Sequence, residues 1–247
     1  MYQEMHEAQE YVLAVARENG VKFIRLWFVD ILGNLKGFAI TVEELEDALI
    51  RGVAFDGASI EGFARIDESD MIAMPDPTTF RILPWRPKEN SVARMFCDIL
   101  TPDGLPFPGD PRYVLKRNVE RAAQLGFNFY VGPELEYFYV NGPENPKPLD
   151  QGGYFDQLTM DPSSEMRRET VLTLHEMGVP VKYSHHEGAF GQHEIDLQYS
   201  DAVAMADNVI TAKAVIKEVA YSHGHYATFM PKPIYGINGS GMHVHQS

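Results

Sequence analysis

Two carboxylates stand two residues apart in Gly132-Pro-Glu134-Leu-Glu136-Tyr-Phe. A strand repeats every two residues, so both would face one side while Leu135 and Tyr137 face the other. A solvated acidic edge has the same pattern. The surrounding Phe127, Phe129, Tyr130, Val131, Phe138, Tyr139 and Val140 make the strand look interior, however, and carboxylates there are costly unless donors or a cation meet them. A second cluster runs Ser184-His185-His186-Glu187-Gly-Ala-Phe-Gly191-Gln192-His193-Glu194-Ile-Asp196-Leu-Gln198. Glu187 and Glu194 are an odd number of residues apart and would lie on opposite sides of a straight strand, but Gly188 and Gly191 permit a turn that brings them together. Beyond the turn Glu194, Asp196 and Gln198 share a face. His185, His186 and His193 are ambiguous: the His-Glu-x-x-His of helical zinc proteases is absent, and a catalytic zinc would recruit two or three of these rings. The abundance of carboxylates favours a hard cation, Mg²⁺ or Mn²⁺. A third run, Asn238-Gly239-Ser-Gly-Met-His243-Val-His245, sets two imidazoles two residues apart after a flexible turn. Four glutamates and His243 could hold a pair of cations, which suits phosphoryl transfer from an anionic nucleotide and equally suits two-metal hydrolysis.

These groups need elements to hold them. Residues 4–19 place Met5, Ala8, Val12, Val15 and Ala16 at helical spacing, with Gly20 at the stop. Lys22 to Val29 and Leu35 to Ile40 read as a strand pair about the turn at Asp30-Ile-Leu-Gly33-Asn34. Thr41 and Glu44 match a capping box for a helix carrying Leu45, Ala48 and Leu49. Four prolines within residues 74–90 predict irregular or short extended segments, and Val92 to Ile99 predicts a strand ending at Thr101-Pro-Asp-Gly104. A domain boundary is expected near residues 101–110. Asp110-Pro111 then opens a helix bearing Val114, Leu115, Val119, Ala122 and Leu125. A strand is expected over Phe127 to Val140, a Gly- and Pro-rich loop over 141–153, and helices over Ser163 to Glu176 and Asp201 to His223. Helices between strands give an α+β layer without a glycine-rich phosphate loop of the usual kind.

Composition narrows the partners. With 35 acidic and 21 basic residues the formal charge is −14, which opposes phosphate backbones and anionic membranes. The lone Cys97 excludes an intrachain disulfide framework and a cysteine-rich zinc site. No apolar stretch approaches a membrane span, and the first segment is charged throughout rather than signal-like. The expectation is a globular, cytoplasmic protein with no nucleic-acid and no membrane partner. Trp27, Trp85 and the aromatic run after Phe127 read as core or interface residues, and His175, His223 and His225 as surface or locally bonded ones.

Taken in order, Phe55-Asp-Gly-Ala-Ser-Ile-Glu-Gly62, Gly132-Pro-Glu-Leu-Glu136, Ser184-His-His-Glu187 with Gly191-Gln-His-Glu194, and Lys232-Pro-Ile with Asn238-Gly-Ser-Gly-Met-His243 resemble the bacterial type I glutamine synthetases. The resemblance spans essentially the whole chain. It implies an α+β fold with a β-grasp-like domain over residues 1–105 and an incomplete catalytic domain over 106–247. It implies two or more Mg²⁺ or Mn²⁺ ions per complete site, with Glu136, Glu187 and Glu194 on the first and Glu134 and His243 on the second. Asn238, Gly239 and His243 would face L-glutamate, and Lys182, His245, Gln246 and Ser247 the ATP. Asp56, supported by Ser59, resembles the aspartate that attracts ammonium. Arg65 resembles an arginine of the feedback-inhibited subclass. The complete enzymes form homo-dodecamers and join ammonium to glutamate through γ-glutamyl phosphate.

Three departures accompany the match. Lys182 stands where a glutamate is common, Ala58 replaces a serine in the Asp56 turn, and Gly188 and Phe190 vary the turn between the glutamates. The family also calls for a later glutamate ligand, later arginines and a flap glutamate, all expected beyond Ser247, so residues 1–247 alone are expected to turn over little or not at all. A related glutamate–amine ligase and a non-enzymatic metal-binding scaffold are the competing readings.

Overall fold

The computed structural model describes residues 2–58, 60, 70–144 and 146–247. The helical spacing near the start becomes α1 (Tyr2–Glu18), and the strand pair becomes β1 (Val21–Val29) and β2 (Leu35–Thr41), antiparallel with Leu26 opposite Phe38. Asp30 builds the connecting turn by accepting from the amides of Leu32 and Asn34. Helix α2 (Leu45–Arg51) follows, but not through the expected capping box: the Thr41 side chain makes no capping hydrogen bond, and a 3₁₀ turn at Val42–Glu44 leads in instead. Strands β3 (Val53–Asp56), β4 (Asp70–Pro75), β5 (Arg81–Ile82) and β6 (Ser91–Leu100) complete a sheet of order β2-β1-β6-β4-β3, with β5 beside β6. β1 and β6 are parallel, while β4 and β6 are antiparallel. Val12 and Ala16 of α1 and Leu45, Ala48 and Leu49 of α2 join Ile24, Leu26, Phe28, Met95 and Ile99 of the strands in one apolar cluster. Burying a side chain such as Leu26 contributes roughly 1.5–3 kcal/mol.

Helix α3 (Pro111–Gln124) starts as the Asp-Pro signal requires, with the Asp110 carboxylate accepting from the Arg112 amide at 3.0 Å and from the Ile99 amide at 3.0 Å. The chain divides into compact units Met1–Gly126 and Phe127–Ser247, some twenty residues after the boundary read from composition. The cause is α3 itself. Its Arg112 guanidinium pairs with Asp76 at 2.7 Å and Asp98 at 2.6 Å, and Lys116 also reaches Asp98 at 2.6 Å, which ties the helix to the first sheet.

In the second unit β7 (Tyr130–Val140) is the central strand. It is followed by α4 (Ser164–Glu176), β8 (Val181–His186), β9 (Gln192–Leu197), β10 (Ser200–Asp201), α5 (Ala202–Ser222), β11 (Tyr226–Thr228) and β12 (Met242–Gln246). Glu134 pairs with Asp196 of β9 and also with His243 of β12, so these two strands flank β7 on opposite edges. β8 lies outside β9. Leu135, Tyr137, Tyr139, His193, Ile195 and Leu197 are buried on one side of this sheet. Among the described residues no helix is long and apolar enough to cross a membrane.

Candidate metal centre

Directly opposed residues of neighbouring strands share a face, so the register of the second sheet states which side chains meet. One row across it runs His185, Glu194, Glu136, and the next runs Tyr183, Asp196, Glu134, His243. The two-residue spacing of Glu134 and Glu136 puts both on the face that also carries Glu194 and Asp196. Glu187 follows the end of β8, and its amide donates to the Gln192 carbonyl at 2.8 Å, closing the turn that returns the chain to Glu194.

The carboxylates differ in what they already hold. Glu136 Oε2 accepts from Gln192 Nε2 at 2.8 Å and from the Gly241 amide at 2.9 Å. A Cβ at position 241 would lie 2.8 Å from Glu136 Oε1, so a larger residue there would push the carboxylate aside. Glu134 accepts from His243 Nδ1 at 3.1 Å and His245 Nε2 at 2.7 Å, and these bonds hold its carboxyl below the usual range. Glu194 is pushed the other way, up to about 8, by burial and by a hydrogen bond and charge from Asp196, then by the charges of Glu187 and Glu134. Tyr183 is pushed up to about 12, chiefly by its hydrogen bond to Asp196.

His185 stands among these groups. Its Nδ1 donates to the His186 carbonyl at 2.9 Å, and its Nε2 lies 3.8 Å from Glu194 Oε2. One ligand atom each from His185, Glu194 and Asp196 falls within 4.8 Å of the others. Glu187 Oε2 and Asp196 Oδ1 are buried without a hydrogen-bond partner among the described residues. Converging carboxylates with orphaned oxygens and one ring nitrogen suit a hard divalent cation. The resemblance put Glu136, Glu187 and Glu194 on one ion; of these the close cluster holds Glu194, joined by His185 and Asp196, with Glu136 opposite Glu194 in the strand row. Tyr154 and Phe155, stacked at 4.0 Å, stand nearly perpendicular to the His185 ring at 5.3 and 4.7 Å, a contact between the loop after β7 and β8 that no local pattern signals.

The loop before β12 is pinned across this face. The Gly239 carbonyl accepts from Gln192 Nε2 at 2.8 Å, and the Asn238 amide group lies where a Cβ on Gly188 would be 2.9 Å from its Nδ2. Lys182 lies over the Tyr183 ring at 5.1 Å and, with Glu134, Asp196, Tyr199 and His245, lines an open cleft of about 480 Å³. Gln246 pairs with Val131, and Ser247 exchanges backbone hydrogen bonds with Tyr130 at 2.9 and 3.0 Å. In the first unit, Asp56 ends β3 and accepts from the Ala58 amide at 2.8 Å. Ser59 and Arg65 lie outside the described residues.

The family model described as glutamine synthetase, catalytic domain, matches residues 108–247, and the one described as glutamine synthetase, beta-Grasp domain, matches residues 20–102. The chain belongs to the glutamine synthetase family. Its fold is accordingly a β-grasp domain followed by the fold of the glutamine synthetase catalytic domain. Curated glutamine synthetases from Methanosarcina mazei, Mycolicibacterium smegmatis and Thermotoga maritima are 52%, 51% and 49% identical over 97%, 98% and 96% of the chain. The chain spans about half the length of these relatives, 54%, 56% and 55% respectively. Among solved structures, a GmaS/ADP complex superposes with a TM-score of 0.87 at 30% identity, over 96% of this chain and 55% of that one. The cryo-electron-microscopy structure of Plasmodium falciparum glutamine synthetase gives 0.87 at 26% identity, over 98% and 53%.

Proposed function

We propose that the protein works as a glutamine synthetase. ATP phosphorylates the side-chain carboxylate of L-glutamate, and ammonia displaces phosphate from γ-glutamyl phosphate to give L-glutamine, ADP and phosphate. The observation that carries this reading is the buried cluster of His185, Glu194 and Asp196, with orphaned oxygens on Asp196 and the nearby Glu187, inside a fold of this family. Glu136, Glu187 and Glu194 would hold one Mg²⁺ or Mn²⁺, with His185 and Asp196 beside them, and Glu134 and His243 a second. Bound there, divalent cations neutralise phosphate oxygens and stabilise charge as the phosphoryl group moves.

The chain's own residues do the rest. Gln192 and the Gly241 amide fix Glu136, and the two β12 histidines fix Glu134. Asn238 and Gly239 would orient glutamate, with His243 beside them. Lys182, His245, Gln246 and Ser247 would line the nucleotide side. Asp56 and Ser59 would serve ammonium, and Arg65 feedback inhibition. In this reading the functional boundary stays near residue 105, the location is the cytoplasm, and the assembly is a homo-dodecamer.

The test is glutamine formation from ATP, glutamate and ammonium with Mg²⁺ or Mn²⁺, run on the full encoded chain and on residues 1–247 alone. Metal-dependent glutamine is expected from the former and little or none from the latter. Amide formation with a larger amine but not ammonium would make it a related ligase. ATP cleavage needing neither glutamate nor amine would make it a hydrolase. Cation binding by the full chain without any turnover would leave a scaffold.

A further inference from the structure

Behind the carboxylate face lies a second polar cluster that the proposed reaction does not use. Its centre is Asp150, from the loop after β7, with a side chain only 2% exposed. One oxygen, Oδ1, accepts three hydrogen bonds: from the Gly152 amide at 3.1 Å, the Gly191 amide at 2.8 Å and His186 Nε2 at 2.8 Å. His186, fully buried, donates its other ring nitrogen to the Glu187 carbonyl at 2.7 Å. A single carboxylate oxygen therefore grips both ends of the turn that joins Glu187 to Glu194. The fit is tight. A Cβ on Gly152 would come within 2.8 Å of His186 Nε2, and one on Gly191 within 2.9 Å of Pro148 Cβ.

Asp150, His186 and His193 are close enough together to suggest another cation site, since their ligand atoms fall within 4.8 Å. Their protons argue otherwise. His186 faces an acceptor on each side and so carries both N–H groups. His193 Nδ1 accepts from the Arg167 guanidinium at 2.8 Å, which places the ring proton on Nε2, turned toward Asp150 Oδ2 at 3.7 Å. Arg167 is held in turn by Asp161 at 2.6 and 2.9 Å. Neither ring offers a lone pair to a metal, so the cluster is a brace and not a second centre.

We propose that Asp150 is the positioning residue of the carboxylate turn: through His186 it fixes the Glu187 backbone, and through Gly191 it fixes the entry to β9. Glu187 and Glu194 are thereby converged before any cation arrives. The inference rests on the reading that these carboxylates bind a divalent cation. Groups that orient metal ligands in this way typically change affinity tenfold to a hundredfold when removed.

The experiment is a Mn²⁺ titration of the 1–247 chain, followed by electron paramagnetic resonance, for the wild type, Asp150→Asn, Glu187→Gln and the double variant. Asp150→Asn is expected to weaken Mn²⁺ binding roughly tenfold to a hundredfold, and to weaken it distinctly less once Glu187 is already Gln, because only the Gly191 arm then remains to be lost. A general loosening of the fold would weaken both backgrounds alike, and that result would overturn the proposal, as would an affinity equal to the wild type. If Asp150→Asn does not fold, His186→Asn carries the same comparison, because it keeps an N–H for the Glu187 carbonyl and leaves Asp150 on both glycine amides. Absence of Mn²⁺ binding by the wild type would overturn the cation reading and this proposal together, whereas normal wild-type binding with an indifferent variant removes only the proposal.

Discussion

At the centre of the first sheet, β1 and β6 bury Ile24, Leu26, Phe28, Ala93 and Met95 with helices α1 and α2, and charged groups there are met by partners, as Arg112 is by Asp76 and Asp98 and Arg94 by the rings of Trp27 and Phe96. At the centre of the second, β7 and β9 bury Leu135, Tyr137 and Ile195 on one side but carry Glu134, Glu136, Glu194 and Asp196 on the other. Similar strand arithmetic thus yields a packing core in one case and a set of mutually repelling anions in the other. The second sheet accepts that cost because its reverse face is tightly filled. Tyr137 and Tyr139 pack edge to face at 5.0 Å, and the His193 ring lies 4.9 Å from Tyr139. Stability and chemistry are separated there by the thickness of one strand.

The largest break in this comparison should come from the first sheet. Leu26→Ala, at a fully buried position, is expected to cost about 2–5 kcal/mol in denaturant unfolding, while the Mn²⁺ affinity of the folded protein stays at the wild-type value. A next, smaller and opposite effect is expected from Glu194→Gln. The folded-state carboxyl titrates near 8 instead of 4.5, so the native state holds a proton that the unfolded chain releases. The stability this contributes is complete below about 4.5, erodes as pH rises and is gone above about 8. Without metal, the variant should lack that decline and gain on the order of 1 kcal/mol over wild type at higher pH. With Mn²⁺ the wild type should be stabilised more than the variant, and increasingly so as pH rises, because at Glu194 the ion replaces the proton. Thermal melts between pH 5 and pH 9, with and without Mn²⁺, separate these outcomes. The smallest effect is Lys182→Ala. Losing its contact with the Tyr183 ring should cost at most about 0.5–1 kcal/mol, with a measurable rise in the ATP dissociation constant of the full encoded chain and none in its Mn²⁺ affinity.

Where the sequence spoke through parity or local hydrogen bonding, it was legible. The faces of Glu134 and Glu136, the turn between Glu187 and Glu194, and the Asp110-Pro111 start of α3 all follow from residues within a few positions of one another. Thr41 makes no cap because a 3₁₀ turn leads into the helix, with the Leu45 amide donating to the Val42 carbonyl. The packing of α3 with the first sheet could not be read locally, since the Asp76 partner of Arg112 is 36 residues away. Asp150 was hidden for the same reason: it sits in a Gly- and Pro-rich loop, and its importance comes from His186, 36 residues on, and Gly191, 41 residues on. Asp196 was visible as a neighbour of Glu194, but only the strand register placed it beside Tyr183 and Glu134.

All five residues of β12 are exposed, so among the described residues no apolar side chain locks this strand to β7 in one alignment. The alignment is held by backbone bonds and by the Glu134 carboxylate, which clasps His243 and His245 at once. A slip of one residue would turn Met242, Val244 and Gln246 inward and both imidazoles away. Such a misaligned chain would bury nearly the same surface and melt at nearly the same temperature. It would be a counterfeit, folded by every bulk measure and chemically mute, and Glu134 is the residue that tells the two apart.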